Sequence, residues 1–134
     1  MQNDNKKLTA KLKCDDAARA FRKYARLGLD RRELKVFEAY ECIRGVSRNE
    51  DEALTLLCVY DMMRLLSLTD RESADAVRAV YFFDKGRTPA KNQTSERILR
   101  FAMENSCDPR TVYRRLRAAK ELFYHLTENS FTKV

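Results

Sequence analysis

Apolar residues recur at three- and four-residue intervals along almost the whole chain, the spacing of amphipathic helices rather than of strands. Ala18, Phe21, Tyr24 and Ala25 predict a first helix over 15–27 that Gly28 ends. Leu34, Phe37, Tyr40 and Ile43 predict a second over 30–44, capped by Asp30 and stopped at Gly45. Asn49 followed by Glu52 has the spacing of a capping box and opens a third helix to about Leu66. Its Leu54, Leu57, Cys58, Met62, Leu65 and Leu66 make the strongest apolar stripe in the chain. Thr69 and Glu72 repeat that spacing and start a fourth helix through Phe83, with Ala76, Val77, Val80 and Tyr81 facing inward. Residues 84–93, which hold Gly86 and Pro89, read as a linker. A fifth helix, capped by Thr94 or Ser95, reaches about Asn105. Asp108 before Pro109 then begins a sixth that lasts to about Leu126. Residues 1–14 are polar and lysine-rich, either a frayed extension of the first helix or a loose arm.

Composition strengthens the helical reading. Three glycines and two prolines in 134 residues are too few for the turns of a strand-rich fold, so the chain is expected to be all-α. The organisation expected is a helical bundle over 1–84, a linker over 85–93 and a C-terminal helix pair over 94–134. The longest apolar tract, residues 54–68, is interrupted by Asp61 and Arg64 and is too short to span a bilayer. No leader pattern is visible, and a cytoplasmic location is expected.

Little in the chain favours catalysis. Cys14, Cys42, Cys58 and Cys107 are far apart, His125 is the single histidine, and no pair has metal-ligand spacing, so reduced thiols are expected and no metal or cofactor. There is no glycine-rich phosphate loop and no nucleophile elbow. The clustered carboxylates at Asp15–Asp16 and Glu50–Glu52 fall at helix starts, where they complement the helix dipole. No enzyme activity and no small-molecule substrate are expected.

Charge changes the picture. Residues 1–49 carry a net +6, residues 50–84 a net −5 and residues 85–134 a net +6, for +7 in all. Two basic ends around an acidic middle suit a polyanionic partner. The sixth helix concentrates this. At 100° per residue, Val112, Leu116, Ala119, Phe123 and Leu126 fall within an arc of about 80°. Arg110, Arg114 and Arg117 fall within about 60° of each other on another side, with Thr111 at the edge and Arg115 and Lys120 on opposite flanks. The helix is expected to bury one edge and hold out an arginine ridge on the other. Arginine's planar fork fits phosphates and guanine edges.

The stretch "RFAMENSCDPRTVYRRL", with "TVYRRLRAAKEL" overlapping its end, resembles the helix-turn-helix of sigma-factor region 4 and of phage late transcription regulators of the ArpU and RinA families. Ala102 stands as the small residue of the first helix, Ser106 and Cys107 form the turn, and Val112 and Leu116 anchor the second helix. Ser106 occupies the position where such turns usually carry glycine, and Asn105 one that is usually apolar. The resemblance covers 95–126. It implies a recognition helix in the DNA major groove, with Arg110, Arg114 and Arg117 at bases or nearby phosphates and Thr111 on a phosphate. Arg115, Arg97, Arg100 and Lys120 would contact the flanking backbone, and Tyr113 would either pack or touch a phosphate. Lys85, Arg87 and Lys91 would extend the same footprint.

The expected function is therefore that of a transcription regulator that binds double-stranded DNA, with RNA polymerase and a second copy of the chain as candidate partners. The alternative is a protein-interaction or assembly module of phage or mobile-element origin. The acidic stretch 50–84 reads either as a solvated face or as a contact for a basic protein. The basic residues 19–35 read either as a second phosphate contact or as mates for that acidic belt.

Overall fold

In the computed structural model of the chain, the described residues are 16–31, 35–82 and 92–131. Among them every regular element is helical and no strand occurs. We number the helices α1 (residues 16–26), α2 (Val36–Val46), α3 (Glu50–Thr69), α4 (Arg71–Val77), α5 (Gln93–Glu104) and α6 (Pro109–Phe131). A 3₁₀ turn, Leu29–Arg31, follows α1, and α4 continues into one π-helical turn, Arg78–Phe82. The expected N-terminal arm, Asp15, Cys14, Leu34, Phe83 and most of the linker lie outside the described residues.

Local chemistry explains most of the boundaries. Gly28 ends α1 at φ 76°, a left-handed conformation that glycine adopts without steric cost. Asn49 caps α3: its Oδ1 accepts from the Glu52 amide at 2.9 Å. Asp70 closes α3 and opens α4 at once. Its amide donates to the Leu66 carbonyl at 2.7 Å, while its carboxylate accepts from the Ser73 amide at 3.3 Å and from the Ser73 hydroxyl at 2.6 Å. The latter bond satisfies the hydroxyl of a fully buried serine. The cap is thus Asp70 rather than the expected Thr69, whose hydroxyl turns back to the Leu65 carbonyl instead. Likewise the cap position of α5 is Asn92, at φ 69° with no side-chain cap, two residues before the expected Thr94 and three before Ser95.

Two expectations about facing are corrected. The second helix starts at Val36, not Asp30, and buries Ala39 and Ile43; Phe37 is 73% exposed and Tyr40 40%. This helix packs mainly on α3, which covers one narrow stripe, and Phe37 lies about 140° round the axis from that stripe. Helix α3 is buried on most sides rather than along one stripe: Ala53, Leu56, Val59, Tyr60 and Met63 are covered as well as Leu57, Cys58, Met62 and Leu66. A helix apolar nearly all round belongs at the centre of a bundle, and α3 packs against α2, α4 and α6. Leu65, expected inside, lies on its remaining open side.

The core is one cluster that runs from Ala17 to Phe123, so the segments 1–84 and 94–134 share it. Phe21 joins three elements, with its ring edge-on to Tyr81 of the π turn at 5.6 Å and to Phe123 of α6 at 5.4 Å. Such aromatic pairs add about 0.5–1.5 kcal/mol beyond their buried area. The Tyr124 hydroxyl accepts from the Ala17 amide at 2.8 Å and ties α6 to the start of α1. Cys58 is buried and half-buried Cys42 and Cys107 are free thiols; Cys58 lies 3.6 Å from the Ser130 hydroxyl, and burial pushes its thiol pKa up. Among the described residues no helix is long and apolar enough to cross a membrane.

Candidate nucleic-acid interface

The turn between α5 and α6 is a Schellman motif built on the expected residues. The Cys107 amide donates to the Ala102 carbonyl at 2.9 Å and the Ser106 amide to the Met103 carbonyl at 3.3 Å, with Ser106 at φ 52°. Serine thus takes the conformation for which glycine is the usual choice. Asn105, also atypical, spends its side-chain amide on the Phe101 carbonyl at 2.8 Å. Cys107 and Phe101 both pack against the core beside this turn. Asp108 then caps α6: its Oδ1 accepts from the Arg110 amide at 2.8 Å, and its carbonyl from the Thr111 amide at 2.9 Å. Pro109 takes the first helical position, where no amide is needed.

The apolar edge of α6 is buried through Val112, Leu116, Ala119 and Phe123, with Leu126 partly covered. Pinning this edge to α3 and α4 fixes the helix's rotation, so the opposite side must face solvent. Arg114 and Arg117 are exposed there with no acidic partner among the described residues. Arg110 is exposed as well, its side chain 89% open and its Nε 3.5 Å from Asp108, an arrangement that solvent screens heavily. Thr111 is half-buried, and Tyr113 is 51% exposed at the rim of the ridge.

The flanking cations divide. Arg100 is exposed. Arg115, expected on the flanking backbone, reaches across to Glu72 at the start of α4 at 2.9 Å, with 23% of its side chain exposed. Arg97 also turns inward, its Nη1 donating to the Val80 carbonyl at 3.1 Å in the widened π turn. Burial, reinforced by the nearby positive charge of Arg22, pushes its pKa down. Lys120 is half-buried with its Nζ 5.3 Å from the centre of the Tyr81 ring, and Arg22 of α1 approaches the same ring at 5.4 Å. A cation from α1 thus joins the Lys120 flank of α6. The sequence placed Arg22 only within a general basic stretch, because nothing local records that Phe21 docks beside Phe123.

Lys23, next in that stretch, pairs within the chain instead, together with Arg44 and Arg48 beyond it. Lys23 and Arg48 both donate to the Glu52 carboxylate, which holds it down to a pKa of about 2, and Arg44 approaches Glu50 at 3.6 Å. The acidic start of α3 is therefore neutralised largely from within the chain. Among the described residues no group of histidine, cysteine and carboxylate side chains is arranged to hold a metal. Comparison of this chain with protein-family models, with curated proteins and with solved structures finds no match.

Proposed function

We propose that this chain is a binding protein for duplex DNA, a transcription regulator of the phage or mobile-element kind. Its α5–α6 pair acts as a helix-turn-helix, and α6 enters the major groove. The observation that carries the reading is the exposure of Arg110, Arg114 and Arg117 along one side of a helix whose other side is locked into the core. Arg117 continues the ridge toward Lys120, and Arg100 stands on the preceding helix, in the position from which such helices cross the phosphates. Arg97 and Arg115 serve the fold instead: one braces the π turn and the other clamps α6 to α4.

With these two withdrawn, about four phosphates are within the footprint, so log K is expected to fall with log salt at a slope of roughly −4. Selection from randomised duplexes is expected to enrich a motif. On that motif, Arg114→Ala weakens binding by about 5- to 150-fold, the range for a lost bidentate base contact. Arg44→Ala, on α2 beside Glu50, changes it less than about twofold. Equal losses from the two changes, or a selection that returns no motif, count against the assignment.

One observation favours the assembly-module reading: Met103 is 81% and Leu99 52% exposed, one turn apart on the outer side of α5. Under that reading the chain shows no affinity for duplex DNA in the same selection.

A further inference from the structure

The α2–α3 pair carries the largest exposed apolar side chains away from the arginine ridge. Leu68 is 80% exposed, Phe37 73%, Leu65 41%, Tyr40 40% and Val36 39%. All but Phe37 lie together. Asp61, Leu65 and Leu68 follow the four-then-three spacing of one helix face. Residues 47–49 join α2 to α3, and the two helices pack against each other. The Asp61 carboxylate is close enough to Tyr40 to raise the phenol's pKa, which puts Tyr40 beside this face of α3. Val36, one turn back along α2, lies on the same flank of that helix as Tyr40, whereas Phe37 points away from α3. Leu68, Leu65, Tyr40 and Val36 expose roughly 300–400 Å² of apolar surface, the size of patch that often marks a functional contact. A standard interface needs about 800 Å² per partner, so the patch would supply the apolar centre of one.

Charge identifies the occupant. At the middle of the patch stand one acid and one base, half-buried Asp61 and exposed Arg64. They are less than one turn apart, and Arg64 offsets part of the burial that pushes the Asp61 pKa up, but neither makes an ion pair among the described residues. The Arg64 guanidinium instead lies 5.8 Å over the Tyr60 ring. A partner of one sign would satisfy one of these charges and repel the other. A two-fold arrangement satisfies both, because an axis passing between positions 61 and 64 sets each acid against the other copy's base.

We propose that a second copy of this chain docks on the open face of α2 and α3, with the two α3 helices crossing antiparallel so that Asp61 of each copy meets Arg64 of the other. The pair presents two arginine ridges, but the dimer rests on the α2–α3 face alone and not on DNA binding.

The test is sedimentation velocity of the full chain without nucleic acid, from low micromolar to several hundred micromolar. A concentration-dependent dimer is expected. Leu68→Glu, at an exposed position that leaves the far-UV spectrum and unfolding midpoint unchanged, weakens it at least about tenfold, as loss of one buried leucine per copy requires. Asp61→Arg and Arg64→Asp are each monomeric alone, and an equimolar mixture of the two restores the dimer, because the mixed pair again sets opposite charges together. A wild-type chain that stays monomeric throughout overturns the proposal. So does a dimer indifferent to Leu68→Glu, or a mixture of the charge variants that stays monomeric. None of these outcomes bears on the arginine ridge, whose tests use DNA.

Discussion

Replacing Ser106 by glycine is expected to stabilise the chain. Ser106 sits at φ 52° in the turn between α5 and α6, and its exposed side chain makes no hydrogen bond among the described residues. An L-residue in the left-handed region costs roughly 1–2 kcal/mol. Glycine escapes that cost but enters the fold from a broader unfolded ensemble, which returns about 0.5–1 kcal/mol. The difference favours glycine by about 0.5–1 kcal/mol. With an unfolding entropy of about 2.1 cal/mol/K per residue, a chain of 134 residues gains about 2–4 °C in midpoint. Urea unfolding followed by circular dichroism reads the change as a shift in midpoint at constant slope. Ser106→Val, which places a branched side chain in the same conformation, is expected to lose more than about 1 kcal/mol. If glycine destabilises the chain, or valine is as well tolerated as serine, the turn is not held in this conformation and the geometry given to the helix pair is wrong.

Two further outcomes follow from the caps and ion pairs. Asp108→Ala removes the acceptor for the Arg110 amide and is expected to cost about 1 kcal/mol in urea unfolding, whereas Asp108→Asn keeps most of the cap and loses only the charge near Arg110. Glu52 titrates near pH 2 in the folded chain against its ordinary 4.5, because Lys23 and Arg48 bond its ionised form. Since the folded pKa is the lower one, its contribution is complete above about pH 4.5 and disappears as the pH falls toward 2. Stability measured in pH steps is expected to fall less steeply over that window for Glu52→Gln than for the unchanged chain; parallel curves would show that the Lys23–Glu52 contact contributes nothing.

The amino-acid sequence by itself determined the helices and the sidedness of α6. Both depend on neighbours three and four residues apart: Val112, Leu116, Ala119 and Phe123 cannot share one face without sending Arg110, Arg114 and Arg117 to another. The Asp108–Pro109 start was equally local, because cap and capped amide are two residues apart. What only the tertiary structure decided was which charges are spent. Arg114 and Arg115 are adjacent and chemically identical, yet one is open and the other is held by Glu72 from a different helix. Arg22 and Lys23 are also adjacent, and one lies against Tyr81 while the other bonds Glu52. Phe37 looked like core until α2 proved to pack mainly on α3. An ion pair or a covered face is set by where distant segments meet, and periodicity along a single helix carries no record of its neighbours.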